Sequence, residues 1–186
     1  TSFTNKAFTE VHDAVVDMKE NQGMENLVLD IRGNGGGLLI EAVKIMNIFV
    51  DRGQEIVSTK GKIENNNRSY PTSVTPYDTI MPIAVLVDSK SASASEIVSG
   101  SMQDLDRGII VGTRTFGKGL VQTTRDISYN TKLKVTTAKY YIPQNINNNE
   151  IKKVVTNTDK RIKTEVNSNS LLSYLKENDY AEIDTV

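Results

Sequence analysis

Residues 82–122, PIAVLVDSKSASASEIVSGSMQDLDRGIIVGTRTFGKGLVQ, decide how this chain folds. The stretch 82–88 is a near-continuous run of apolar, largely β-branched residues, the pattern of a strand buried on both faces. It passes through serine-rich residues into a predicted helix over 93–105, with Val98, Met102 and Leu105 on one face. Residues 108–112 read as a second strand, closed by the loop 113–119. Strand, turn, helix and strand in that order form an α/β unit, and such units build their sites at the carboxyl ends of the strands.

The same grammar appears upstream. Phe8, Val11, Val15 and Met18 recur at helical spacing over 5–22, with Gly23 as a stop signal. A short apolar strand over 27–32 is broken sharply by Gly33-Asn34-Gly35-Gly36-Gly37, and Leu39, Ala42, Val43, Met46 and Val50 mark a second helix. Residues 54–60 read as a strand and the polar run 64–69 as a surface loop. Downstream the pattern becomes β-like, with strands over 120–125 and 133–142 around a turn at Tyr129-Asn130. From 143 to about 170 the chain is polar and asparagine-rich, read as a loosely ordered insertion around a short strand at 152–155. A brief helix near 171–176 and an extended tail follow. There is no internal repeat and no heptad pattern.

Composition narrows the chemistry. At 186 residues the chain has the size of one domain, and a domain of that length buries roughly 70% of the surface its unfolded chain exposes. With 22 basic and 23 acidic residues the net charge is −1, which leaves no electrostatic footprint for nucleic acid or an anionic membrane. No run is long and apolar enough for membrane insertion. The absence of cysteine removes a thiol nucleophile, disulfides and thiolate metal ligation, and the single histidine, His12, removes a multi-histidine zinc site. No cofactor and no metal is expected.

Three turns carry candidate chemistry, each directly after a predicted strand. In Ser91-Ala92-Ser93-Ala94-Ser95-Glu96, Ser93 with Glu96 three residues on is a capping box, worth about 1 kcal/mol to a helix. The same geometry surrounds a serine hydroxyl with free backbone N–H groups and the positive end of a helix dipole, which suits an oxyanion. Residues 112–119, GTRTFGKG, come within one residue of a phosphate-binding loop. Gly119 stands where that loop needs a hydroxyl, however, and a strand pattern follows where it needs a helix. Lys118 is then either a solvated turn lysine or a general base. Phe116, Val111 and Val121 suggest a partly apolar setting, where desolvation disfavours the ammonium form and makes lysine an acceptable base for serine. The glycine turn 33–37 either permits positive φ between strand and helix or presents backbone N–H groups to a site.

Taken together, residues 27–45 (LVLDIRGNGGGLLIEAVKI), 82–122 and 136–143 (TTAKYYIP) resemble the tail-specific, or C-terminal processing, serine peptidases, in that family's order and spacing. The resemblance implies Ser93 as nucleophile, Lys118 as general base and Gln122 as the residue that orients the lysine. It implies an oxyanion hole from the N–H of Ala94 and of Gly36 or Gly37. It implies an α/β fold, a crotonase/Clp-protease-like core of stacked β-β-α units with a β-rich C-terminal part. Protein or peptide substrates and a cell-envelope or periplasmic location also follow from the resemblance alone.

The expected organisation is a catalytic core over 1–143, with 144–186 as a polar insertion and tail of the same domain. The PDZ-like domain that usually precedes such a core is not in the chain, which therefore reads as a fragment. After Pro143 the family's glycine-arginine turn is replaced by the asparagine-rich stretch. His12, at the edge of its helix's apolar face, reads as a structural or solvent-edge residue, with a serine–histidine triad as the alternative. Two rival readings keep the fold: a non-catalytic peptide-binding module, and a crotonase-like acyl-thioester enzyme that needs no Ser–Lys pair.

Overall fold

A computed structural model describes residues 2–143 of the chain. The expected insertion, the strand at 152–155 and the helix near 171–176 lie outside the described residues.

The most apolar stretch becomes the middle of the molecule. β4 (Ile83–Val87), buried at every position, lies parallel between β1 (Leu27–Asp30) and β5 (Ile109–Gly112). The register runs Leu27↔Ile83 on one side and Val87↔Gly112 on the other, so the three strands end level. Central parallel strands face apolar layers on both sides, which is why this one shows no polar alternation. α2 (Leu39–Phe49) and α3 (Ala94–Asp104) follow β1 and β4 through the glycine and serine turns. Phe49, Ile45, Met46, Ile97 and Met102 from these two helices are almost fully enclosed. Each such side chain contributes roughly 1.5–3 kcal/mol of burial.

α1 (Ala7–Gln22) stops at Gly23, whose φ of 69° lets its N–H return to the Met18 carbonyl. Val15 is buried and Phe8, Val11 and Met18 pack on the core, as their spacing predicts. His12 has its ring beside Phe8 and Tyr77, and its Nδ1 pairs with neighbouring Asp13, a structural placement. Arg107, just after α3, donates to the carbonyls of Phe49, Met81 and Asp78, and so satisfies the end of α2.

A second, antiparallel sheet has the order β3-β2-β7-β6, from β2 (Glu55–Gly61), β3 (Arg68–Pro71), β6 (Leu120–Ile127) and β7 (Thr131–Tyr141). The β6–β7 turn falls at Tyr129 and Asn130, with φ of 60° and 56°. Two consecutive positive-φ residues are the hairpin geometry whose twist matches the flanking strands. β3 departs from the sequence reading, which places a loop over 64–69. A short 3-10 turn at Glu64–Asn66 leads there into an edge strand paired to β2 from Thr59↔Arg68 to Glu55↔Pro71. Pairing with a distant partner makes this polar segment a strand, and its proline sits at an edge where no ladder donor is needed. The α/β class expected from the sequence is the one observed.

Candidate active site

The three turns converge at the carboxyl ends of β1, β4 and β5. Asp88, the first residue after β4, accepts from the N–H groups of Gly33, Lys90 and Ser91 at 2.9, 2.9 and 3.0 Å. The Gly33 N–H, above all, holds its carboxyl below the ordinary value, so Asp88 adds stability that is lost as pH falls through the depressed value. Ser91 Oγ donates to the Ile31 carbonyl at 2.8 Å. The Asn34 carbonyl accepts from the Ala92 N–H at 3.1 Å and from Ser95 Oγ at 2.9 Å. The glycine turn and the serine turn are thus laced into one surface.

Ser93 stands at the start of α3 with φ 57° and ψ −114°, 9% exposed. A non-glycine residue held there stores about 1–3 kcal/mol of strain, which persists only where the surroundings over-determine it. Strand, sharp strained turn and helix form the arrangement that raises a serine hydroxyl at the top of a sheet. The capping box that the sequence predicts from Ser93 and Glu96 is present, with Glu96 reaching back to the Ser93 N–H at 2.8 Å, but it is built on a positive φ that an ordinary cap does not adopt.

Gly36 explains part of the constraint. A Cβ on it would lie 2.8 Å from the Ala94 nitrogen and 2.9 Å from Ser93 Cβ, and closer still to the Ala92 carbonyl. Its φ is 93°. Gly36→Ala is therefore expected to push the serine turn away, cutting turnover by roughly a hundredfold or more and stability by about 2–3 kcal/mol. Peptide hydrolysis and thermal melting check it; an active, equally stable variant would contradict the packing.

The two glycines proposed for an oxyanion hole are not equivalent. The Gly36 N–H donates to Asn34 Oδ1 at 2.9 Å. The Gly37 N–H donates to no described residue, although the flanking Gly36 carbonyl and Leu38 N–H bond to Phe3. The Ala94 N–H opens the first turn of α3, where no intrahelical acceptor exists.

Glu96 links the serine turn to the lysine loop. It is 1% exposed, and four donors converge on its carboxylate. Oε1 accepts from Thr115 Oγ1 at 2.8 Å and the Gly117 N–H at 2.6 Å, Oε2 from the N–H groups of Ser93 and Lys118, each at 2.8 Å. The backbone nitrogens of Ser93 and Lys118 are thus no farther apart than twice that last distance. A lysine side chain spans that gap with length to spare. Lys118 itself is half-buried.

Not every expected neighbour joins the site. Gln122 is exposed on β6, beside a bulge between Val121 and Gln122, with no side-chain hydrogen bond to a described residue. Phe116, expected to shelter Lys118, is 67% exposed because its own N–H is pinned to the Ser91 carbonyl and its ring turns outward. Sequence reasoning treats Glu96 only as a cap and passes over Asn34, Thr115 and Tyr140. A carboxylate flanked by Ile97 and Val98 in an apolar helix is the signal that was there for Glu96. Tyr140, in contrast, donates its backbone N–H from β7 to the Gly119 carbonyl at 2.9 Å, and only the folding of the second sheet brings it beside the lysine loop. Among the described residues no group of three or more histidines or carboxylates is placed to hold a metal. No described helix is long and apolar enough to cross a membrane.

The chain is similar to known proteins along most of its length. Relatives include a carboxy-terminal-processing protease of Bartonella bacilliformis, 42% identical over 144 residues, which are 76% of this chain and 33% of that protein. A chloroplastic C-terminal processing peptidase of Tetradesmus obliquus is 38% identical over 151 residues, 81% of this chain and 30% of its own length. Among solved structures, a photosystem II D1 C-terminal processing protease superposes with a TM-score of 0.68 at 38% identity, over 76% of this chain and 36% of that one. The chain thus spans about a third of the length of these relatives. The model of peptidase family S41 matches residues 1–158, and the chain belongs to that family.

Proposed function

We propose that the chain is the catalytic core of a serine endopeptidase of the C-terminal processing type, working through Ser93 and Lys118. One observation carries this reading: a strained Ser93 whose backbone is tied, through the single buried carboxylate of Glu96, to the backbone of Lys118. Strain at a serine and a clamp to a lysine loop have no use in a module that only binds peptides. An acyl-thioester enzyme would use the N–H groups but not the lysine.

In the proposed mechanism Lys118 takes the Ser93 proton as Oγ attacks the scissile carbonyl. The N–H groups of Ala94 and Gly37 face the developing oxyanion; Gly36 shapes the turn, since its own N–H is engaged by Asn34. The ammonium of Lys118 then protonates the leaving amine, and water repeats the sequence to free the acyl-enzyme. Gln122, four residues beyond Lys118 on the adjoining strand, orients the lysine once it turns inward from its exposed position. Protein or peptide chains are the proposed substrates. A cell-envelope or periplasmic location rests on the family resemblance.

The test is covalent. A fluorophosphonate should add to Ser93 in the full chain, located by mass spectrometry of its peptides. Lys118→Ala should slow that addition by roughly 10²–10⁴-fold, the usual worth of a positioned base. Labelling elsewhere, or at an unchanged rate without the lysine, would remove the reading.

A further inference from the structure

A buried asparagine holds the glycine turn in place. Asn34 is 6% exposed, and both of its oxygens are engaged. Its carbonyl accepts from the Ala92 N–H at 3.1 Å and from Ser95 Oγ at 2.9 Å, which fixes its backbone to the serine turn. Its side-chain Oδ1 accepts from the Gly36 N–H at 2.9 Å. Its φ is not positive, so a tolerance of left-handed backbone is not what calls for asparagine here. The next peptide unit is held from the other side, where the Gly36 carbonyl accepts from the Phe3 N–H at 2.8 Å. A trans peptide is planar with its C=O and N–H on opposite edges, so fixing that carbonyl aims the Gly37 N–H away from Phe3. Gly36 itself lies against the serine turn: a Cβ on it would come within 2.9 Å of Ser93 Cβ and 2.8 Å of the Ala94 nitrogen.

We propose that Asn34 is a positioning residue for the oxyanion hole: by accepting from the Gly36 N–H it keeps the Gly37 N–H aimed, with that of Ala94, at the oxygen of the scissile carbonyl. The proposal rests on Ser93 being the nucleophile. Only the φ and ψ of Gly36 separate the two peptide units that flank it, and a glycine by itself lets both turn. Asn34 fixes the unit before Gly36 and Phe3 the unit after it, so neither torsion is free. Donors fixed in advance stabilise the developing charge without reorganising as it forms. Without its acceptor at Asn34 the Gly36 unit can rotate, and the Gly37 N–H loses that advance alignment.

Asn34→Ala removes the acceptor and keeps the backbone bonds to Ala92 and Ser95. In the full chain acting on casein, kcat per folded molecule should fall roughly ten- to a hundredfold with KM nearly unchanged, because the oxyanion exists only beyond the ground state. Fluorophosphonate labelling of Ser93 should slow in step. Asn34→Ser differs from the alanine variant by one hydroxyl, which can accept from the N–H two residues on, and should recover part of the loss. A merely structural asparagine would lower Tm and leave kcat per folded molecule within about twofold. That result, with Ser93→Ala inactive, would overturn the role of Asn34 and leave the Ser–Lys reading standing. Hydrolysis that survives in Ser93→Ala would overturn both. Should Asn34→Ala not fold, amide hydrogen exchange in the unaltered protein decides. The Gly36 amide should exchange slowly throughout. The Gly37 amide should exchange fast until a fluorophosphonate adds to Ser93 and its phosphoryl oxygen enters the hole. A fast Gly36 amide, or a Gly37 amide that the adduct leaves unchanged, would overturn the proposal.

Discussion

Ser93→Ala is expected to abolish peptide hydrolysis, lowering kcat by at least about 10⁴-fold, because the proposed mechanism forms the acyl-enzyme on Ser93. The fold should survive the change. Ser93 is held by its backbone: its N–H bonds Glu96 and its carbonyl accepts from Ile97. Alanine keeps both bonds, and it also keeps the Cβ that makes a φ of 57° costly. Ser93→Gly, equally inactive, removes that Cβ. An alanine-to-glycine change ordinarily destabilises a protein, by roughly 0.5–1 kcal/mol in regular structure. At Ser93 the relieved strain offsets that loss, so the glycine variant should melt no lower than the alanine variant. A glycine variant that melts well below it would show that the serine is not strained. Residual hydrolysis near the original rate in either variant would show that Ser93 is not the nucleophile.

The second large effect is expected at Glu96. Removing its carboxylate in Glu96→Ala leaves the N–H groups of Ser93, Gly117 and Lys118 and the Thr115 hydroxyl without their acceptor. A buried donor left unpaired costs about 1–3 kcal/mol, so a total loss of about 3–5 kcal/mol is expected after partial rehydration. Hydrolysis should fall at least about a hundredfold in whatever fraction stays folded, because misplacing a catalytic group by an ångström costs that much. Glu96→Gln keeps the volume but turns an amide N–H₂ toward donors, and should fall between. Urea denaturation and casein hydrolysis measure both. A Glu96→Ala protein within about 1 kcal/mol of the original and fully active would show that the lysine loop holds its place without the clamp.

Much of the architecture is legible because it answers to local rules. β4 announces itself as an unbroken apolar run since both its faces are covered. Tyr129 and Asn130 mark a hairpin because short loops between antiparallel strands need positive φ. β3 is not legible, since at the edge of a sheet its side chains face water and only its pairing with β2 defines it. The site divides the same way. Ser93, Ala94, Gly36, Gly37 and Lys118 are found as residue types in turns after strands, and as a family resemblance. Their arrangement is not. A capping serine and a strained one are written with the same letters, and Phe116 reads as a shield for Lys118 yet points into solvent.

By itself, then, the sequence determined the α/β class, the three turns and the residue types they carry, because periodicity, glycine placement and side-chain chemistry are properties of short segments. Only the tertiary structure decided which glycine N–H stays free, that Glu96 binds the serine turn to the lysine loop, and that Tyr140 meets Gly119 beside Lys118. Those facts depend on contacts between residues far apart in the chain, such as Glu96 with Lys118 or Tyr140 with Gly119. Each is fixed when two sheets and two helices close on one another, a step that no local pattern encodes.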